Sequence, residues 1–436
     1  MDTITIDTIS EKGRGRGTLQ TGGVIEVPGT LIGDVVTAEI IGRKKKIRLG
    51  KLVDVVEGGK GRALPRCAHF PSCGGCSFQH IPYKAQLEKK QGQVEELFKK
   101  YHPTFFPIIG MDDPWNYRNK MEYTFSENKL GDRFLGLIEV NSRGRVLNLQ
   151  TCHLTPKWFP KTLNAVRAWW ETTTLKAFHH PSGTGDLRTL ILREGKNTGE
   201  KIAMLSVTGP LRKNEIDTLK KALPDLSLVV QVCVAIKGQP TQYFEMTAHG
   251  KDHIRENLNN MTFHISPTAF FQPNTTQAEK LYAKALELAG DNHTLIYDLY
   301  CGTFTIGTHF AAHAKKIIGI ELNPCSVSDA NENLKLNNIT NAEGICGDVG
   351  EILKTLSEKP SLVIIDPPRA GLFPEALSQL LAIAPSKILY ISCNPKTQER
   401  DIEALTAAGY TLTHVQPIDQ FPHTPHLEII SVLRRL

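Results

Sequence analysis

A chain of 436 residues is too long for one compact core and implies two or three domains. No apolar run approaches the roughly 18 residues that span a bilayer, and MDTITIDTISEKGRGRG lacks the apolar centre of a secretory signal, so a cytoplasmic protein is expected. A net charge of +6 permits an anionic partner without requiring one, while nine clustered cysteines point to metal binding or catalysis, not to disulfides.

In residues 1–58, TITIDTI, GVIEVP, DVVTAEIIG and IRLGKLVDVVE alternate apolar and polar residues, with Gly and Pro between them. That is the period of short strands, and five or so suit a small barrel of the oligonucleotide-binding kind. Residues 43–51, RKKKIRLGK, carry six basic residues in nine. Such a strand can follow a phosphate backbone; the simpler reading is a solvated hairpin whose lysines keep an edge from aggregating.

Next, CAHFPSCGGC places Cys67, Cys73 and Cys76 within ten residues, with glycines that let the backbone wrap. A fourth ligand must come from elsewhere, and Cys152 in LQTCHL is the candidate. Zinc sites usually carry two C-x2-C knuckles. A single C-x5-C-x2-C joined to a distant lone cysteine suits an iron–sulfur cluster. Zinc, with help from His69, His80 or His153, is the alternative.

Between about 82 and 290 the pattern is α+β. YKAQLEKKQGQVEELFKKY and PKTLNAVRAWWETT have helical spacing, and YRNKMEYTFSEN, FLGLIEV, RVLNLQTC, LRTLILREG, KIAMLSVTG and LSLVVQVCVAI read as strands. No catalytic motif stands here, and Arg118, Lys120 and Arg133 receive no assignment.

From about 266 strands alternate with helices: TLIYDLYCGTFTIG, KKIIGIELN, AEGICGD, SLVIIDPPRAGL and KILYISCNP. The alternation implies a parallel sheet covered on both faces, with ligands bound past the carboxyl ends of its strands. Tyr300, Glu321, Asp348, Asp366 and Cys393 all follow apolar runs there. Glu321 ends the second strand, where an acidic residue holds ribose hydroxyls. CGTFTIG is not G-x-G-x-x-G, so a nucleoside without a pyrophosphate, such as S-adenosylmethionine, fits better than a dinucleotide. YTLTHVQPIDQF and HLEIISVLRRL read as a closing antiparallel pair, the ending of S-adenosylmethionine-dependent methyltransferases. Cys393 on its own reads either as a small buried hydrophobe or as a nucleophile.

The chain resembles the RNA uracil-C5 methyltransferase family over nearly its whole length, through SPTAFFQPN (266–274), DLYCGT (298–303), IDPPRAGL (365–372), ISCNPKTQERD (391–401) and FPHTPHLE (421–428). VPGTLIGDVVTAEI with its basic strand resembles the TRAM domain, a small RNA-binding barrel. The resemblance implies a TRAM-like barrel at 1–58, a central α+β domain at 59–265, and a Rossmann-like methyltransferase domain at 266–436. The helix near 82–101 is expected to pack on the last of these.

It further implies that Cys67, Cys73, Cys76 and Cys152 hold a [4Fe-4S] cluster. Cys393 is the nucleophile, Glu428 the base, and Gln272, Tyr300, Glu321 and Asp366 hold S-adenosylmethionine, with Asp348 at the adenine edge. The TRAM-like start fits the branch acting on 23S ribosomal RNA; transfer RNA is the alternative, and no obligate protein partner is evident. Phe304 stands where a glycine is common and is expected to narrow the turn beside the cofactor.

The chemistry agrees with these roles. Uracil C5 is a poor nucleophile; a thiolate adding to C6 makes an enolate whose C5 accepts a methyl group, and the C5 proton must then leave. A base reaching a buried thiol must leave its stack. An RNA cytosine-C5 methyltransferase typically carries a second cysteine after the Asp-Pro motif, where this chain reads DPPRAG. A non-catalytic RNA-binding assembly factor would keep the basic strand without needing both Cys393 and Glu428.

Overall fold

The structure, a computed structural model, describes residues 2–10, 12–142, 144–235 and 241–435. The N-terminal alternation forms a six-stranded sheet. Its apolar residues, among them Ile4, Ile25, Val27 and Val36, make a small core of their own. One strand, Gly15–Thr18, carries no apolar alternation. A Cβ at Gly17 would stand 2.2 Å from the Thr5 carbonyl, so glycine there lets two backbones approach. The strands Val35–Lys44 and Ile47–Glu57 form a long hairpin whose tip holds the exposed Lys44, Lys45 and Lys46.

A seven-stranded sheet follows, in the order 146–148, 133–138, 120–127, 187–194, 201–207, 227–234 and 242–249. One face packs against the helices Trp158–Glu171 and Lys213–Ala222 around Trp170, Phe125 and Leu163. Ile236, the last residue of the apolar run LSLVVQVCVAI, lies outside the described residues. The edge strand Gln242–His249, the hairpin Ile254–Leu258 with Met261–Ile265, and the helix Lys213–Ala222 go beyond the elements read from sequence.

The third sheet has eight strands, in the order 342–346, 314–321, 293–299, 362–365, 387–392, 428–435, 410–418 and 104–105. The first five run parallel. Glu428–Arg435 runs antiparallel to both of its neighbours. Apolar clusters fill both faces, as a sheet sandwiched between helices requires. The helix Tyr83–Phe98 contributes Val94 and Phe98 to one of these clusters.

That helix buries Gln86, Lys90, Val94 and Phe98, one residue every four. The period is amphipathic, yet half the buried stripe is polar. Lys90 Nζ lies 2.6 Å from Asp419 Oδ1 with both side chains fully buried. Tyr83 donates to the other Asp419 oxygen at 2.8 Å, and Lys90 also donates to the Phe421 carbonyl at 3.2 Å. A buried ion pair is tolerated when its remaining donors and acceptors are satisfied in this way. Among the described residues no helix is long and apolar enough to cross a membrane.

Candidate active site

Parallel strands bring their carboxyl ends to one edge. Leu299 pairs with Ile320 and with Ile365, and Ile365 pairs with Tyr390. Tyr300, Glu321 and Asp366 each stand one residue past this row. Tyr300 takes a left-handed backbone, φ 63°. Burial and the nearby Asp348 carboxyl push its hydroxyl up to about 12. Glu321 accepts the amides of Gly302 at 3.2 Å and Asn323 at 2.8 Å, which braces the turn and leaves lone pairs on both oxygens. Asp348 caps the helix Val349–Thr355 by accepting the Glu351 amide at 3.2 Å. Asp366 is pushed up to about 7 by burial.

Gln272 lies in the loop 266–274 and is buried. Its Oε1 accepts from Gln420 at 3.1 Å, and its carbonyl accepts from Asn119 at 2.9 Å. Arg193, itself fully buried, anchors the loop by donating to the carbonyls of Ser266 at 2.8 Å and Ala269 at 2.6 Å.

Cys393 and Glu428 line one cavity of about 980 Å³ together with Arg369, His426, Phe270 and Arg118. Burial, then the Glu428 and Asp366 carboxyls, push the Cys393 thiol up to about 12. Glu428 is held well above the usual carboxyl range by burial and by Asp366. Among the described residues its buried Oε2 has no hydrogen-bond partner, a cost that native structures rarely accept away from functional sites. Arg369 opposes both shifts with its positive charge. Its carbonyl is fixed by Asn394 Nδ2 at 2.8 Å and Thr397 Oγ1 at 3.2 Å, and its Nη2 lies 3.4 Å from His426 Nδ1.

Cys67, Cys73, Cys76 and Cys152 line the same cavity. Burial raises the thiols of Cys73, Cys76 and Cys152, and each also feels its neighbours. Gly74 lets this loop approach closely, since a Cβ there would meet the Ile138 carbonyl at 2.8 Å. His69 Nε2 accepts the Gln150 amide at 3.1 Å, His80 Nε2 faces the Thr30 carbonyl at 3.2 Å, and His153 meets Trp115 edge-on. Of these histidines only His153 also lines the cavity with the four thiols. Among the described residues no three His, Cys, Asp or Glu side chains converge on a point that would hold a single ion. Four thiols are the donor type that an iron–sulfur cluster takes.

Three residues add to those singled out from sequence. Asp298 is fully buried; burial and then Asp366 push it up to about 8, and its Oδ1 has no partner among the described residues. Its only sequence signal was its place at a strand end. Arg369 and the 65% exposed Phe270 sit inside quoted motifs, but nothing in their spacing directs them into the cavity.

Phe304 corrects an expectation. Its backbone is left-handed, φ 64°, which explains why glycine suits the position. The ring, however, is fully buried, and a Cβ at Gly319 would lie 1.9 Å from it. It fills the core against the neighbouring strand and does not narrow the turn.

A family model described as tRNA (uracil-5-)-methyltransferase matches residues 211–436. An uncharacterized RNA methyltransferase of Protochlamydia amoebophila is 42% identical over 440 residues, covering 94% of this chain and 99% of that protein. Another from Clostridium tetani is 36% identical, covering 92% of this chain and 91% of that protein. The crystal structure of Pyrococcus abyssi tRNA (uracil-54, C5)-methyltransferase in complex with S-adenosyl-L-homocysteine superposes with a TM-score of 0.78 at 25% identity, covering 99% of both chains.

Proposed function

The chain belongs to the RNA (uracil-5-)-methyltransferase family, and from that premise we propose that it methylates C5 of a uridine in 23S ribosomal RNA through Cys393 and Glu428. The observation that carries this reading is the meeting of an unpartnered buried carboxylate and a thiol in one cavity at the strand edge. Transfer RNA is the second reading, favoured by the likeness to the Pyrococcus abyssi enzyme.

Gln272, Tyr300, Glu321 and Asp366, with Asp348 at the adenine edge, would hold S-adenosylmethionine, which would supply the methyl group. The orphaned Oδ1 of Asp298 adds an unmet acceptor at the same edge. The Cys393 thiolate adds to C6 of a flipped uracil, and the electron pair moves to the ring as an enolate. Arg369 is the cation that offsets this charge. C5 takes the methyl group, and Glu428 then takes the C5 proton so that the sulfur is expelled and the double bond returns. Cys67, Cys73, Cys76 and Cys152 would hold a [4Fe-4S] cluster, to which no catalytic step is assigned. The hairpin tip at Lys44–Lys46 supplies phosphate contacts in a TRAM-like module.

The test uses RNA transcripts and cofactor labelled in its methyl group. Cys393→Ala should form no covalent protein–RNA species on denaturing gels, whereas Glu428→Gln should accumulate a methylated one. Wild-type turnover on 23S transcripts and not on transfer RNA supports the first RNA assignment; the reverse moves it to the second. An adduct in Cys393→Ala would remove this thiol as the nucleophile.

A further inference from the structure

The segment leading into Glu428 is clamped from several directions. The amides of Ser77 and Phe78, just past Cys76, both donate to the His423 carbonyl, at 2.9 and 3.0 Å. Gln86 is fully buried, and its Oε1 accepts the His423 amide at 2.9 Å. Its Nε2 donates to the carbonyls of Phe78 at 3.1 Å and Ile81 at 2.8 Å, and lies 3.2 Å from His423 Nδ1. Trp115 stacks on the His423 ring with centroids 3.8 Å apart, and Tyr117 donates to the Pro422 carbonyl at 3.1 Å.

His423 itself has φ 64°, a left-handed conformation that is uncommon outside glycine although histidine is among the residues that adopt it, and the surrounding contacts hold it there. Glu428 follows five positions later. Its backbone pairs with Ile418 at the start of its strand, whereas its buried Oε2 has no hydrogen-bond partner among the described residues, so the segment entering the strand sets where the carboxylate points. On the nucleophile's side, Ser392 Oγ accepts the Asn394 amide at 3.1 Å, and Gln398 donates to the Tyr390 carbonyl at 2.9 Å and across the ladder to the Ile429 carbonyl at 3.4 Å.

We propose that Gln86 and His423 are positioning residues for Glu428, and that through them the order of the cysteine loop governs removal of the C5 proton while leaving thiol addition alone. This rests on the reading of Glu428 as the base. If the clamp loosens, the two amide donors beside Cys76 and the Gln86 bonds come away together, and the carboxylate drifts while the thiol stays in place. A shift of about 1 Å in a reacting group can cost about 10²-fold in rate.

The experiment uses the full chain with 23S and transfer RNA transcripts that carry 5-tritiated uridine. Gln86→Met removes the polar clamp at similar volume. His423→Asn keeps a residue that tolerates the left-handed backbone, so a misfolded Gln86→Met protein does not end the test. Tritium release should fall about 10²-fold in each variant, while a methylated covalent adduct still forms and accumulates. A parallel fall of adduct formation and tritium release, or wild-type tritium release in both variants, would overturn the proposal. Glu428→Gln is run alongside. If it releases tritium at the wild-type rate, the base assignment fails; if it accumulates adduct and the clamp variants do not, only the positioning role fails.

Discussion

Cys393 directly follows Ser392 and Glu428 directly precedes Ile429, the last pair in the antiparallel ladder of their strands. The Glu428 carboxyl is close enough for its charge to raise the Cys393 thiol. Two adjacent anions disfavour each other, so thiolate and carboxylate need an opposing charge, which Arg369 provides.

Both groups sit above their ordinary values, the thiol at about 12, and both must lose a proton to act. The rate of adduct formation should therefore climb with pH through the alkaline range. Arg369→Met removes the cation that lowers them and should move the rise to higher pH, with Arg369→Lys restoring part of the shift. Rapid-quench adduct formation across pH reads this, and an unmoved profile in Arg369→Met would deny Arg369 its electrostatic role.

Neutralising Lys44, Lys45 and Lys46 to glutamine should weaken RNA binding and flatten its salt dependence by about 0.7–0.9 for each phosphate no longer neutralised. Maximal turnover should be unchanged, since this exposed hairpin tip belongs to a separate sheet from the strand edge. Filter binding over a salt series checks both points; an unchanged slope means that the tip is only solvated.

Anaerobically purified protein should be brown and carry about four irons per chain. Cys76→Ala should lose the iron and the visible absorption. Stoichiometric zinc without colour would replace the cluster by the alternative metal.

Asp298 keeps its proton up to about 8 in the folded state against an ordinary value of 3.8. A folded state that binds a proton more tightly than the unfolded one is stabilised below the ordinary value and loses that stability as pH rises through the folded value. Thermal melts of cofactor-free protein should thus fall across this window, and Asp298→Asn should flatten the fall. An identical slope in the variant would assign the loss elsewhere; Asp366, raised to about 7, is the next group to test.

The catalytic sheet was readable because strands buried on both faces carry long apolar runs and end in isolated polar residues, as ISCNP does at Cys393. The strand Gln242–His249 was not, because it lies exposed at an edge, where QYFEMTAH has no buried face to impose a pattern. Gln86, Lys90 and His423 were invisible for another reason. A polar residue on a helix looks solvated until its partner is known, and the partner of Gln86 lies 337 positions away. Phe304 showed only that a glycine was missing; where its ring went depended on Gly319 in the next strand.

The Lys90–Asp419 pair spans 329 positions, and this has a consequence during translation. At typical elongation rates the ribosome needs roughly 15 to 65 s to pass from one residue to the other. Through that interval the Lys90 ammonium has no carboxylate to enter the core with, so the helix Tyr83–Phe98 must wait undocked with its apolar residues exposed. The N-terminal and central sheets can fold as they emerge. The helix that carries Gln86 can settle only when synthesis is almost finished, so nascent-chain truncations ending before Asp419 should leave it open to protease while the earlier sheets are already protected.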